Sequence, residues 1–361
     1  MTSLSVPGAI RTTTPRTGAP AGFAPLLARV KEGGLLARSR AFYVTMLGIL
    51  ALAFGGAITG FILLGDSWFQ LLIAGALGVI FTQVAFIGHE ASHRQVLTSG
   101  RANDRLGRAL ASGVVGLSYS WWMNKHTRHH GNPNVVGKDP DIEVDTVSFV
   151  DTDAAEARGI RAFITRHQGK LFFPLLAFEG VNLHVKSFIH AFGPGKVDNR
   201  PVEIALLLAR TAAVVVPLFL LLPLGMAFAF LGVMLAVFGF YMGASFAPNH
   251  IGMTLFPREA KPDFLRKQVL SSRNIRGGWP MTILMGGLNF QVEHHLFPSM
   301  ARPHLARARE VVIDQCRALD VPYVETSLWR SYAIVIDYLN RVGLAARDPF
   351  DCPMASQYRP A

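Results

Sequence analysis

The sequence predicts an all-α integral membrane protein with four transmembrane helices arranged as two hairpins. Half of its 361 residues are hydrophobic and only 16% are charged, which is a lower charged fraction than soluble proteins usually have. Four stretches are apolar and long enough to cross a hydrocarbon layer of about 30 Å as helices. The predicted spans are residues 41–64, 68–88, 203–222 and 226–247.

Basic residues before the first span predict the orientation of the chain in the membrane. Six of them precede that span, whereas the hairpin tips at Gly65–Asp66 and Pro223–Gly225 have none. By the positive-inside rule, both termini and the long connections are therefore cytoplasmic. Basic residues that face anionic lipid also account for most of the formal net charge of +11, so this charge does not indicate a nucleic-acid partner.

The remaining chain divides into one membrane domain and two tails. Residues 1–40 are predicted to be a basic, partly disordered tail without a signal peptide, 41–345 a single domain, and 346–361 a disordered tail. Cys316 and Cys352 form no disulfide framework, which is consistent with a cytoplasmic, reducing location.

The first histidine cluster follows the second span directly. His89 and His93 are four residues apart, so on a continuing helix they lie near one face and suit two ligands to one metal. A helix-end histidine that bonds carbonyl groups is the simpler interpretation of such a pair taken alone.

The short apolar segment Ala24–Val30 is expected to lie on the membrane surface before the first span.

The second cluster lies in the stretch Trp121–Asn134. His126, His129 and His130 occupy positions i, i+3 and i+4, which places three imidazoles near one face of a helix. Imidazole nitrogen suits zinc, copper, iron or nickel, so this cluster alone does not select a metal. The apolar stretch 106–122 is expected to be a re-entrant or interfacial helix whose tryptophans mark the membrane surface.

Two further segments contain polar residues of uncertain role. Asp139 and Asp141 are either solvated loop charges or acceptors for the outer ring N–H of ligating histidines. The stretch 171–191 is apolar but interrupted by charged and polar residues, which favours an interfacial helix over a fifth span. His184 within it is either a packing residue or a ligand.

The third cluster repeats the spacing of the second. Gln291, His294 and His295 fall at i, i+3 and i+4, and His250 follows the fourth span as His89 follows the second. All clusters are predicted on one side of the membrane, which indicates a shared metal centre. The amphipathic helices predicted at 302–319 and 327–342 would cap this cytoplasmic face.

The number of ligands indicates two metals, since one zinc needs only three or four protein ligands. The predicted ligands are His89, His93, His126, His129, His130, His250, His294 and His295. Candidates for a weaker ligand or for an outer partner of a ligand are Gln291, Asn249, His184, Glu90, Glu293, Asp139 and Asp141.

The three clusters, read as HEASH, HTRHH and QVEHH, resemble the histidine boxes of the membrane fatty acid desaturase family. The glutamine that opens the third box, its flanks GGLNFQVEHHLFP and the pair Asn249–His250 resemble the front-end subfamily, which includes linoleoyl-CoA and sphingolipid desaturases. The similarity covers roughly residues 40–345.

This resemblance implies a four-span fold with a cytosolic cap that carries a non-haem di-iron centre. It also implies an O2-dependent reaction that inserts a cis double bond into an acyl-CoA or acyl-lipid chain. Many eukaryotic front-end members begin with a fused cytochrome b5 domain, and this sequence lacks its HPGG motif. No dinucleotide fingerprint is present either, so electrons are expected from a separate ferredoxin with its NAD(P)H reductase or from cytochrome b5.

Other oxidations and other metals remain compatible with these histidines. A related di-iron hydroxylase or acetylenase would use the same scaffold, because the reactions diverge only after the first hydrogen abstraction. A membrane zinc hydrolase or a metal transporter would also gather histidines, although a transporter should place ionisable residues at mid-membrane depth.

Overall fold

α-Helices make up most of the chain in the computed structural model, which describes residues 22–346. The predicted disorder of the first 21 residues and of 347–361 lies outside the described residues. Within 22–346 the α-helices, named α1 to α14 in chain order, are Phe23–Glu32, Arg40–Leu64, Gln70–Ser92, Gly100–Arg108, Tyr119–Gly131, Asp151–Ala155, Gly159–Phe192, Arg200–Leu221, Leu224–His250, Phe264–Leu270, Gly278–Leu284, Gln291–Leu296, Arg302–Ala318 and Leu328–Ala345.

Three shorter kinds of element complete the described chain. A π-helical segment, Ala109–Val115, continues from α4, and a 3₁₀ turn, Leu288–Phe290, leads into α12. The strands β1 (Asn274–Arg276) and β2 (Glu325–Ser327) pair in parallel, with Asn274 opposite Glu325. This small ladder joins the segment before α12 to the start of α14.

Four helices, α2, α3, α8 and α9, are long and apolar enough to cross a membrane, as the sequence predicts. The helices α3 and α9 continue to Ser92 and His250, beyond the predicted ends at 88 and 247, because the helix carries on into the polar residues that follow each span. Histidines therefore lie on the last turn of both spans. The layout of the four helices as two transmembrane hairpins stays a prediction.

The inner and outer helices of the bundle differ in burial. In the most apolar 18-residue stretch of each helix, 56% of the residues of α3 and 33% of those of α9 are buried, against 11% for α2 and 17% for α8. The helices α3 and α9 therefore form the inside of the bundle. A side chain at Gly78 of α3 would meet the Met234 carbonyl of α9 at 2.8 Å. Close contact between these two helices holds the histidines at their ends near each other.

The long helix α7 packs against α9 on the other side of the bundle. Gly180 of α7 and Gly239 of α9 meet at backbone distance, since a Cβ at Gly180 would lie 2.1 Å from the Leu235 carbonyl oxygen. The helix spans 34 residues, with Pro174 inside it, and contains the stretch predicted to be interfacial. It is not among the four candidate spans, in agreement with that prediction, and its position at the interface stays a prediction.

The two amphipathic helices predicted near the C-terminus are confirmed as α13 and α14. The first shares an apolar core with α1, α10 and α12, whereas α14 packs against α7 and α9. The expectation that Ala24–Val30 lies on the membrane surface is not supported, because Leu26 and Val30 of α1 are fully buried in this core. The apolar side of α1 is thus already covered by protein.

A buried carboxylate fixes the start of α5, the helix with the central histidines. Ser118 caps this helix by accepting a hydrogen bond from the Trp121 N–H at 3.1 Å. Glu203 of α8 is fully buried and accepts hydrogen bonds from the Ser118 hydroxyl and from the N–H of Ser120, the latter at 3.1 Å. A span helix therefore holds α5 in place. The chain reverses just before this cap at Gly116, whose φ of +97° favours glycine.

Candidate metal centre

The structure brings all eight predicted histidine ligands together at one end of the helical bundle. They come from the last turn of α3, from α5, from the last turn of α9 and from α12, four elements that are far apart in the sequence. Two separate groups result. The five-histidine group comprises His89, His93, His126, His130 and His294, and the three-histidine group comprises His129, His250 and His295.

In the five-histidine group, one ring nitrogen from each residue lies within 4.8 Å of the others. The Nε2 atom of His126 is 3.0 Å from Nε2 of His89 and 2.7 Å from Nε2 of His93. Two nitrogens bound at a right angle to one ion, each about 2.1 Å from it, are about 3.0 Å apart. The spacing of these nitrogens is therefore that of ligands around one ion.

In the three-histidine group, each ring has an acceptor for its outer nitrogen. The His129 Nδ1–H donates to the carboxylate of Asp139 at 3.0 Å, and the His250 Nδ1–H donates to the Ser271 carbonyl at 2.8 Å. The His295 Nδ1–H donates to Gln268 Oε1 at 2.9 Å. These bonds fix the tautomer, so that each Nε2 carries the lone pair that can bind a metal.

Buried nitrogens without partners support binding of metal at both groups. Among the residues that the structure describes, the Nε2 atoms of His130, His294 and His295 are buried and have no hydrogen-bond partner. Leaving buried polar atoms unpaired is costly, whereas one metal ion in each group would satisfy all three. The residues therefore fit a pair of metal ions held mainly by imidazole.

Burial keeps most of these imidazoles neutral, the form that binds a metal. Burial lowers the pKa of His126, His130 and His294 well below the usual value, and neighbouring imidazoles lower it further. At His129 burial also lowers the pKa, but the carboxylates of Asp141 and Asp139 outweigh it and the pKa is raised. These acids thus increase the basicity of one ligand.

Asp139 and Asp141 lie where an outer partner is expected. Asp139 is fully buried, and its carboxylate also accepts from the Asn134 N–H at 2.7 Å, so it is not a solvated loop charge. Asp141 is more exposed, lies 3.2 Å from His129 Nδ1 and pairs with Lys125 at 2.8 Å. Of the two alternatives for these acids, the structure favours the role beside His129.

Glu90 and Glu293, also candidates for partners of the ligands, make their hydrogen bonds elsewhere. Glu90 forms a buried ion pair with Arg302, at 2.6 Å, and accepts from the Tyr43 hydroxyl at 3.3 Å. Glu293 accepts from Asn274 at 2.7 Å and from the Tyr323 hydroxyl at 2.8 Å. Each glutamate is next to a predicted ligand on its helix, so its side chain points away from the histidines. Both therefore bond to other parts of the protein.

The position of Glu90 also bears on the zinc-hydrolase alternative. The order His89-Glu-Ala-Ser-His93 matches the pattern H-E-x-x-H, in which the glutamate of a zinc metalloprotease acts as general base. Here both carboxylate oxygens of Glu90 bond to the Arg302 guanidinium, at 2.8 and 2.6 Å. A carboxylate held in this way is not free to take a proton from water, so the structure disfavours this mechanism.

Gln291 and Asn249 lie beside the three-histidine group. The Gln291 amide nitrogen is 2.8 Å from His250 Nε2, and its amide oxygen accepts from Asn249 Nδ2 at 3.1 Å. Asn249 in turn donates to the Ser245 carbonyl of its own helix. Gln291 therefore presents its amide nitrogen to His250, and Asn249 holds the amide oxygen on the other side.

His184 lies away from both groups. Its Nδ1 atom is 2.6 Å from the Gly180 carbonyl oxygen and its Nε2 atom 3.2 Å from that of Val115. Both ring nitrogens therefore face backbone carbonyls, which connects α7 to the π-helical segment. The structure favours packing over ligation for this residue.

Three residues with clear roles at the centre were not predicted from the sequence. Gln268 of α10 accepts from His295 and donates to the His130 carbonyl at 3.0 Å, yet nothing in its local pattern marks it. Arg302 begins a helix that looks solvent-exposed in the sequence, but it is 1% exposed. Trp122, which is also expected to mark the membrane surface, stacks its ring on His126, with centroids 4.6 Å apart.

A cavity of about 240 Å³ lies against both histidine groups. His126, His129, His250 and His294 form part of its wall, so the candidate ligands face the space directly. The rest of the wall is largely apolar and includes Trp122, Phe172, Leu176, Met242, Phe246 and Leu288. Such a cavity suits an apolar chain that must pass close to the metals.

Known proteins with similar sequences agree with this arrangement. The family model for fatty acid desaturase matches residues 66–327, a range that contains all eight histidines. The Delta(8)-fatty-acid desaturase 2 of Arabidopsis thaliana is 26% identical over 320 residues, which cover 85% of this chain and 70% of that protein.

Two further relatives come from other kingdoms. The Delta(6)-fatty-acid desaturase fat-3 of Caenorhabditis elegans is 27% identical over 339 residues, or 89% of this chain and 74% of that one. The Delta 8-(E)-sphingolipid desaturase of Kluyveromyces lactis is 27% identical over 312 residues, or 81% and 54%. These names are consistent with the front-end subfamily.

Proposed function

The chain belongs to the fatty acid desaturase family, and we propose that it inserts a cis double bond into a fatty acyl chain with the help of two iron ions. The acyl chain loses one hydrogen from each of two adjacent methylenes. O2 takes up these two hydrogens together with two electrons and two protons, which gives two waters. One observation carries the proposal: two histidine groups line one wall of an apolar cavity.

The eight histidines are proposed to hold the two irons, with five around one ion and three around the other. Gln291, whose amide oxygen is held by Asn249, is proposed to lie beside the second ion as a neighbour of the ligand His250. Bound iron would supply the oxidising power that removal of hydrogen from an unactivated methylene requires. Ligation by these residues is supported by their spacing and by their unpaired, buried nitrogens.

The cavity residues are proposed to position the acyl chain. Trp122, Phe172 and Phe246 would exclude water and align successive methylenes beside His126 and His294. Exclusion of water protects the reaction from side products, and fixed alignment determines which carbon pair reacts.

The electron source is proposed to be a separate acidic carrier, either a ferredoxin with its NAD(P)H reductase or cytochrome b5. The basic surface that follows from the net charge of +11 supports docking of such a carrier. Turnover that is unchanged at high ionic strength, and after charge reversal of exposed Arg and Lys residues, would contradict this part of the proposal.

The protein is a membrane protein, and its orientation and domain limits are proposed from the sequence. Residues 41–345 would form a single desaturase domain with the metal centre and both termini in the cytoplasm. The lack of basic residues at the predicted hairpin tips supports this orientation.

Expression in a host without desaturases, followed by mass spectrometry of its fatty acids, tests the reaction. We expect products that are two hydrogens lighter than their precursors and that disappear in a His126→Ala variant still present in the membrane. A half-buried histidine outside the cluster, His167, provides the matched control as His167→Ala.

The same experiment separates the alternatives. A gain of one oxygen would identify a hydroxylase, and a loss of four hydrogens from a saturated pair of carbons an acetylenase. Zinc in place of two irons in the purified protein, with activity independent of O2, would instead support a hydrolase.

A further inference from the structure

A polar groove adjoins the apolar cavity and shares seven of its lining residues: Lys125, Asp141, Phe149, Phe172, Leu176, Glu179 and Leu183. This mouth groove, formed by α5, the loop 140–149 and α7, encloses about 670 Å³. An acyl chain that reached the histidines through it would leave its carrier end in the groove. The chemistry of the groove therefore bears on what carries the chain.

Every cation that lines the mouth groove is neutralised by a carboxylate that also lines it. The pairs are Lys125–Asp141 at 2.8 Å, Arg128–Glu143 at 2.8 Å and Lys186–Asp145.

A fourth acid, Glu179, has an amide partner and no cation of its own among these pairs. Its carboxylate accepts from Asn182 Nδ2 at 3.0 Å. Burial raises its pKa, which favours the neutral acid. The lining of the groove therefore has no net charge when Glu179 is protonated, and a net charge of minus one when Glu179 is ionised. Among the residues from 22 to 346, the lining therefore offers no excess positive charge to bind a polyanion.

The groove also borders an exposed apolar surface of α7. Phe178 lines the groove and is 69% exposed, and Val181 and Val185 continue an exposed face along the same helix. A large apolar side chain in this position suits contact with acyl chains of the bilayer. A lipid could thus enter the groove sideways from the membrane.

We propose that the mouth groove selects an acyl chain carried by a zwitterionic membrane lipid over the same chain carried by coenzyme A. The inference rests on the proposed desaturase function. Coenzyme A brings roughly four negative charges, on a terminal phosphate and a diphosphate, which the paired cations cannot neutralise. A phosphate and an ammonium on one headgroup match the alternating carboxylates and cations, and the amides of Asn124 and Asn182 can donate to ester oxygens.

The test compares two carriers of one acyl chain. The full-length protein in membranes, with its electron donors, receives the acyl chain that the host assay identifies, either as its coenzyme A thioester or within phosphatidylcholine. We expect the lipid-bound chain to be converted about tenfold or more faster at low ionic strength. Equal or faster conversion of the thioester, with acyl transfer to lipid blocked, would overturn the inference.

Charge reversal at the groove provides the second arm. Glu143 and Asp145 are about half exposed, so the double variant Glu143→Lys, Asp145→Lys should fold. It frees Arg128 and Lys186 and should shift the preference towards the thioester about tenfold, with free coenzyme A now inhibiting. The control Glu310→Lys, on an exposed position of α13, should change neither.

An unchanged preference in the double variant would also count against the groove. Absence of any desaturated product in the host assay would instead contradict the proposed function itself, so the two failures can be told apart.

Discussion

The two histidine groups lie next to each other but are held by different means. In the three-histidine group, every ring is held by a hydrogen bond from its Nδ1 atom, to Asp139, Ser271 or Gln268. In the five-histidine group, within the part of the chain that the structure describes, His89 Nδ1 and both nitrogens of His130 are buried without a hydrogen-bond partner.

Ring packing takes the place of these hydrogen bonds in the five-histidine group. Trp122 stacks on His126, and His130 lies parallel to His295 with centroids 4.2 Å apart. Hydrogen bonds set both the tautomer and the orientation of a ring, whereas stacking sets only its plane. The three-histidine group is therefore the more strongly preorganised of the two, and the five-histidine group depends more on the metal itself.

The largest expected effect comes from removing one ring of each group. His130→Ala and His295→Ala should each abolish desaturation, exceeding the roughly 10- to 100-fold loss typical of an outer partner. Fatty acid analysis of the expressing host measures this, with His167→Ala as control. The same loss is expected for alanine at His126, His129 and His294.

Most of the activity retained in either the His130 or the His295 variant would show that its group is not required. The two groups would then not both bind a metal that the reaction needs.

The next largest effect concerns the support of the five-histidine group through the backbone. Arg302 is 1% exposed and pairs with Glu90, the residue after His89, so Arg302→Met leaves a buried carboxylate unpaired. We expect a loss of about 3–5 kcal/mol in unfolding free energy, measured by denaturant titration in detergent. The control is Arg307→Met, at an exposed position of the same helix.

A double variant sharpens this test. Glu90→Gln combined with Arg302→Met should be less destabilised than Arg302→Met alone, because no unpaired charge remains. Equal destabilisation would mean that the loss arises from packing and not from the ion pair.

A smaller effect should distinguish the two groups directly. Asp139→Asn removes the charge behind His129 and should weaken metal binding by the three-histidine group about 10- to 100-fold. The iron content of the purified protein should fall from two towards one per chain, while Asp337→Asn, on the exposed side of α14, should keep two. Parallel loss of both irons would contradict independent groups.

The smallest effect is expected at His184, outside both groups. Its replacement by alanine removes a hydrogen bond to the Val115 carbonyl, worth about 0.5–1.5 kcal/mol. Activity in the host assay should therefore fall by less than about tenfold, and iron content should not change. Loss of iron would instead make His184 a ligand.

The sequence predicted the helices and the clustered histidines because both leave local patterns. Long uncharged runs define α2, α3, α8 and α9 by length alone, and the spacings i, i+3 and i+4 identify the faces of His126 and His294. The side chains at the ends of two spans also had to meet, since both spans end at the same side.

The division of the histidines into two groups could not be predicted. His129 and His130 are neighbours in the chain and belong to different groups, because successive residues on a helix point about 100° apart. Gln268 and Arg302 were missed for a related reason. Their partners, His295 and Glu90, are 27 and 212 positions away, so no local pattern connects them.

The ion pair between Glu90 and Arg302 has a consequence for the synthesis of the protein. Its two members are separated by 212 residues, and Tyr43 of the first span contacts the same carboxylate. A ribosome has therefore made most of the chain before Glu90 of the second span acquires its ion-pair partner. Because His294 and His295 also lie late in the chain, the histidine cluster is complete only when synthesis is nearly finished, and Arg302 joins it at the same stage.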